Sequence, residues 1–286
     1  TMFVTSNDEE QPEVRVPLFG AGVTGMAPVC DLDVTSGATQ SGPVYNSTPS
    51  SYVTLSAAGS QDSAYTASQL TYLWSLASQP AGSVAAISGS GMTAGLTLDL
   101  AGTYVVRVQV RNPDGDLSGP CEVTIEAVPG QDLWVEMFWT YAGEDMDLHM
   151  TLNNAATFDY ANDCYYGNCA YGCPGGFGCP TWGGAGTADD PALDLDDIPG
   201  TGPENINIQS PAAATYTVYV HDYPGSSFTS TNPTTVRVYL GGSLVRTYVS
   251  TSNSATSNWG SSEDNQWKVC TITLPSGSIV DNWQVF

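Results

Sequence analysis

Apolar and polar residues alternate along most of this chain with a period of two. In the run 104–111, Tyr104, Val106, Val108 and Val110 fall on one side, while Arg107, Gln109 and Arg111 fall on the other. Successive strand side chains point to opposite faces, so the pattern predicts a β-strand with one face on a core and one in water. The same holds for 133–139, 216–220 and 236–240. Gly241-Gly242, between 236–240 and 244–249, marks a two-residue hairpin turn. No stretch carries the 3.6-residue period of a long amphipathic helix. The expected fold is all-β: two β-sandwiches in tandem, preceded by a short β-strand arm.

The arm is 1–24, with strand-like runs at 2–5 and 13–18 separated by the turn Ser6-Asn7-Asp8. Two strands alone are marginal in water, so the arm needs something to pair with. Residues 27–128 read as one sandwich and 129–286 as a second, larger, jelly-roll-like one. The join at Val128-Pro129-Gly130 is short, which favours a defined arrangement of the two.

Charge narrows the partners. Six Lys+Arg against 29 Asp+Glu give a formal net charge of −23. Such a field repels nucleic-acid phosphates and anionic lipid surfaces and draws in cations. No run approaches the roughly 18–20 apolar residues of a membrane span, so membrane insertion is not expected. The start, Thr1-Met2-Phe3-Val4, lacks the basic and apolar regions of a signal peptide. The expectation is a mature or truncated form of a secreted or cell-surface protein.

Seven cysteines fit an oxidising compartment. Cys164, Cys169, Cys173 and Cys179 crowd a Gly/Tyr-rich segment with four, three and five residues between them. Zinc sites favour Cys-x-x-Cys pairs, so disulfides are expected here, with their connectivity open. Cys30 and Cys121 lie near the two ends of the first candidate sandwich. Cys270 shares a strand face with Ile272 and Leu274; a buried thiol and a bond back to the loop both remain open.

The densest chemistry lies at 189–204, where five Asp and one Glu fall within sixteen residues interrupted by Gly and Pro. Carboxylates this crowded repel one another unless a cation sits among them, and an oxygen-only set suits hard Ca²⁺. Leu193, Leu195 and Ile198 alternate with Asp194, Asp196 and Asp197 as apolar anchors for the loop. Upstream, Asp145, Asp147 and His149 alternate with Met146, Leu148 and Met150, so the three polar groups share one strand face. A solvated acidic loop is the competing reading. The expected calcium ligands are Asp145, Asp147, Asp194, Asp196, Asp197 and Glu204. His149 is a poor ligand for a hard cation and is expected to hydrogen-bond a carboxylate or carbonyl.

Three family resemblances overlay these pieces. Ser6-Asn7-Asp8, Pro12, Val16-Pro17-Leu18, Gly20 and Gly22 resemble the last strands of hydin-type immunoglobulin-like repeats. That implies either a longer multidomain protein or an arm that completes a neighbour's sheet. Residues 27–128 resemble an Ig-like PKD-type domain through 53–60, Leu70-Thr71-Tyr72-Leu73-Trp74 and Ala101-Gly102-Thr103-Tyr104-Val105-Val106, with a turn at 112–116. Trp74 is expected between the sheets, with Tyr104 opening the strand opposite it. PKD-type domains act mostly as spacers and adhesion modules. A Cys30–Cys121 bond here would link the first and last strands. Residues 131–286 are similar to the YfaP-type domain of bacterial secreted proteins, through 145–150, Gly202-Pro203-Glu204 and 214–220. The Cys-rich insertion 164–184 departs from that pattern.

No nucleophile elbow, His-Glu-x-x-His or phosphate loop occurs, so an enzyme is not expected. Tyr165, Tyr166, Tyr171 and Trp182 on the Cys-rich segment fit either sugar stacking or the packing of a disulfide-stapled loop. The expected role is therefore non-enzymatic: an extracellular, calcium-stabilised structural or adhesive protein of a bacterial surface. Its expected partners are other protein chains, including copies of itself by strand addition of the arm into a filament or array. A carbohydrate-binding module is the alternative.

Overall fold

The computed structural model describes residues 26–170, 180–198, 200–224, 232–256, 259 and 264–286, together with the strand backbone of 2–5 and 13–16. In the arm, β1 (Met2–Thr5) and β2 (Glu13–Val16) pair antiparallel as a two-stranded ribbon. Eight strands follow: β3 (Asp33–Ser36), β4 (Thr39–Ser41), β5 (Val44–Ser47), β6 (Tyr52–Ser56), β7 (Thr71–Ser78), β8 (Thr93–Thr97), β9 (Gly102–Arg111) and β10 (Cys121–Ala127). They form a five-stranded sheet in the order β4-β5-β10-β9-β7 and a three-stranded sheet β3-β6-β8. Their inward faces meet through Val53, Leu55, Leu96, Tyr104, Val106 and Ile125, all fully buried. This is the alternation seen in the sequence, realised as a sandwich.

β7 and β9 are neighbours in one sheet, with Trp74 opposite Val108. Tyr104 therefore does not face Trp74 from across the sandwich. It is fully buried, donates its hydroxyl to Asp99 Oδ1 at 2.8 Å and accepts the Leu100 N–H at 2.9 Å. Trp74 is half-buried and donates its Nε1–H to the Gly91 carbonyl at 2.8 Å. Cys30 and Cys121 are bonded, tying the segment before β3 to the last strand across a separation of 91 residues. A loop of that length restricts the unfolded chain by about 4–5 kcal/mol on chain-entropy grounds.

The second sandwich begins with β11 (Leu133–Trp139), β12 (Met146–Leu152), β13 (Asp163–Cys164), the short α1 (Tyr166–Cys169) and β14 (Pro191–Leu195). It continues through β15 (Glu204–Ile208), β16 (Thr215–Asp222), β17 (Thr234–Leu240), β18 (Ser243–Val249), β19 (Gln266–Thr273) and β20 (Ser278–Val285). The sheets run β14-β15-β11-β17-β18 and β13-β12-β16-β19-β20. Between them lies a core that includes Val135, Met137, Met146, Leu148, Ile206, Val218, Val220, Val236 and Trp267.

β11 departs from the expected one-wet-face pattern, because Trp134 and Glu136 on its outer side are buried as well. The first sandwich covers them. The fully buried Glu136 carboxylate accepts the Ala101 N–H of the first sandwich at 3.0 Å. It also accepts the Tyr239 hydroxyl at 2.8 Å, Arg237 Nη1 at 3.2 Å and Trp134 Nε1 at 3.3 Å. Arg237 continues to the Ala81 carbonyl at 3.3 Å and lies 4.9 Å over the Phe138 ring. A side chain at Gly82 would run into that ring, so glycine permits the close approach. Burial raises the Glu136 carboxyl pKa, against the opposing pull of the Ala101, Tyr239 and Arg237 contacts.

Cys270 is a free thiol, fully buried in β19. Burial pushes its pKa up to about 12. Alkylation proceeds through the thiolate, so iodoacetamide near pH 8 should leave Cys270 intact in the folded chain and label it in denaturant. Peptide mapping that finds Cys270 labelled at equal rates in both would show that it is accessible.

Candidate metal centre

Sheet pairing brings the sequence-distant acids together. Asp147 belongs to β12 in one sheet, Glu204 opens β15 in the other, and Asp196 follows β14 directly. One carboxylate oxygen from each of Asp147, Asp196 and Glu204 lies within 4.8 Å of the other two. Asp147 and Glu204 are buried, at 2% and 1% exposure, and Asp196 is half-buried. The chain reaches Glu204 through a cis Gly202–Pro203 bond. Glu204 Oε2 accepts the Leu148 N–H of the opposite sheet at 2.7 Å, which aims the carboxylate across the sandwich.

Burial and mutual repulsion dominate the electrostatics of this cluster. Glu204 Oε1, Asp196 Oδ1 and Asp145 Oδ1 are buried without a hydrogen-bond partner. Leaving such atoms unpaired away from water costs about 1–3 kcal/mol each, more for a charge. Burial, then the Asp147 charge, holds the Glu204 carboxyl well above its ordinary value. Burial raises Asp145 to about 7, with Asp147, Asp196 and Asp197 adding repulsion. Asp196 shifts upward for the same reasons, burial first and Asp147 next.

The six acids named from the sequence divide. Asp147, Asp196 and Glu204 converge, and Asp145 feels their field from the residue just before β12. Asp197 braces the loop by accepting the Gly202 N–H at 2.8 Å. Asp194 turns elsewhere and accepts Asn207 Nδ2 at 2.7 Å, because the ladder with β15 shifts register between Leu193 and Leu195. Of the apolar anchors, Leu193 is buried and Leu195 half-buried, but Ile198 is 62% exposed and anchors nothing.

His149 is fully buried, with Nδ1 2.7 Å from Asp163 Oδ2, the carboxylate contact expected for it. Two site neighbours were not assigned from the sequence. His221, directly opposite Asp147 in the β12–β16 ladder, places Nδ1 3.4 Å from Asp147 Oδ2 and Nε2 3.2 Å from Asp264 Oδ1. Burial by itself lowers the His221 pKa, but its contacts with Asp147 and Asp264 outweigh burial and raise it. Only the strand register reveals this pairing, and no local motif encodes it.

The Cys-rich segment is stapled by a Cys164–Cys169 bond across α1. Cys173, Cys179 and Tyr171 lie outside the described residues. Tyr165 stacks on His149 with centroids 5.1 Å apart, and Tyr166 meets Tyr223 edge-on at 5.7 Å. Trp182 is only 2% exposed and donates its Nε1–H to the Ala161 carbonyl, so it packs the loop and offers no open face to a sugar. No helix among the described residues is long and apolar enough to cross a membrane. No protein-family model and no curated protein matches this chain. The hydin-type, PKD-type and YfaP-type resemblances therefore rest on their sequence motifs alone.

Proposed function

We propose that this chain is a non-enzymatic, extracellular structural or adhesive protein of a bacterial surface, whose second sandwich is clasped by a calcium ion. The carrying observation is the convergence of Asp147 from one sheet with Asp196 and Glu204 from the other, with Glu204 Oε1 buried and unpartnered. A hard divalent cation with oxygen ligands neutralises this set and joins the two sheets. The disulfides and the near absence of lysine fit life outside the cell. In this reading the PKD-like sandwich is a spacer and the YfaP-like module carries the clasp.

The test is calcium calorimetry on the EDTA-stripped full chain. One ion per chain is expected, at the affinity of about 10⁻⁴–10⁻³ M that extracellular modules use. Calcium at 100 times the dissociation constant should stabilise by about 2.7 kcal/mol, or about 5–10 °C in melting temperature for a domain of this size. No heat and an unmoved transition would remove the clasp.

The arm supports assembly. β1 and β2 pair only with each other among the described strands, and a ribbon with open edges can add to another chain's sheet. Deleting 1–24 should shrink the particle seen by light scattering. An unchanged mass after deletion speaks against strand-exchange assembly.

A further inference from the structure

We infer that His221 is a positioning residue for the clasp: pinned between Asp147 and Asp264, it fixes the orientation in which Asp147 faces Asp196 and Glu204. The inference rests on the calcium reading above. An Asp side chain on a strand has several staggered rotamers open to it, and the one adopted here brings an Asp147 carboxylate oxygen within 4.8 Å of oxygens from Asp196 and Glu204. His221 Nδ1 lies 3.4 Å from Oδ2 of Asp147, while the far ring nitrogen meets Asp264 Oδ1 at 3.2 Å.

The imidazole itself has no room to swing. It is 2% exposed and boxed by the rings of Phe158 at 5.2 Å, His149 at 5.8 Å and Tyr223 at 6.2 Å. Tyr223 in turn donates its backbone N–H to the Asp145 carbonyl at 2.9 Å, which ties the end of β16 to the residue before β12. Both nitrogens of His221 are occupied by carboxylates, so the ring acts behind the ligand rather than as one. Asp264 is the exposed end of this relay, with its side chain 75% accessible.

Outer partners of this kind are typically worth 10–100-fold in metal affinity. The experiment is calcium calorimetry on the full chain for the native protein, His221→Leu, His221→Gln and Asp264→Ala, with Glu204→Gln as the non-binding control. His221→Leu should weaken calcium by about 10–100-fold. His221→Gln, whose amide can still donate to Asp147, should recover most of that loss. Asp264→Ala should weaken binding by about 3-fold or more, with its melting temperature in EDTA unchanged. If the native chain binds calcium but His221→Leu and Asp264→Ala bind as tightly, His221 does not position Asp147 and the clasp still stands. A glutamine variant as weak as the leucine variant likewise overturns the positioning role. If His221→Leu does not fold, Asp264→Ala decides, and unchanged affinity there sinks the inference. A native chain that binds no calcium removes the clasp itself.

Discussion

Glu136→Ala is expected to cost about 3–5 kcal/mol and to separate the two sandwiches. Removing one partner of a buried ion pair leaves the other uncompensated, and that loss exceeds the net worth of the pair. Here the abandoned group is the Arg237 guanidinium, whose side chain is 16% exposed. The Ala101 N–H, the Tyr239 hydroxyl and the Trp134 indole would lose their acceptor at the same time. Because one of those donors belongs to the first sandwich, the damage falls on the joint as well as on the second core. Calorimetry should show two transitions in place of a shared one, and small-angle scattering should show a broader distribution of shapes. Glu136→Gln keeps the outline and part of the hydrogen bonding, so its loss should be smaller. A single sharp transition at the native temperature in the alanine variant would show that Glu136 does not hold the joint.

Glu204→Gln should weaken the fall of stability with pH and abolish the response to calcium. Asp145, Asp196 and Glu204 all titrate above their ordinary values in the folded chain, with burial the leading cause and mutual repulsion next. Between about pH 4, where free carboxyls titrate, and the folded value of about 7 for Asp145, the ion-free native state holds protons that the unfolded chain has released. Stability then falls as pH rises through that window. Calcium takes the place of those protons, so its stabilising effect should grow across the same window and vanish toward pH 4. The glutamine variant removes one buried charge. In EDTA near neutral pH it should melt higher than the native chain, and calcium should no longer raise its transition. Melting curves from pH 4 to 8 with and without calcium read both effects. A native curve in EDTA that climbs with pH would contradict the sign of this argument.

The strands were legible because their alternation is strict. The runs at 104–111, 133–139 and 236–240 each became a strand within a few residues of the expected bounds. Half of the acids named from the sequence do converge, and they were legible from alternation and local crowding. Alternation alone puts Asp147 on the outer face of its strand, and local crowding marks Asp196 and Glu204. Asp194 was misplaced because a β-bulge between Leu193 and Leu195 shifts register where the acids begin, and period-two counting fails at a bulge. Burial of the outer faces was hidden altogether. Trp134 and Glu136 look like an ordinary solvent face until another sandwich is laid on them. Thr151 and His149 look wet until the 153–162 segment folds over them, with Phe158 N–H donating to Asp163 at 2.7 Å and Thr157 to Gln266 at 2.7 Å. Such cover comes from contacts far apart in the chain, which no window of sequence contains.

β11 enters the second sandwich directly after the join and lies at the centre of its sheet, flanked by β15 and β17, whereas β20 lies at the rim of the other sheet with one neighbour. Under tension the two ends of this module are therefore unequal. Pulling through the entrance must shear two ladders together, while pulling through the final strand can unzip a single ladder rung by rung. A tether working through the entrance side would yield last where the load arrives first.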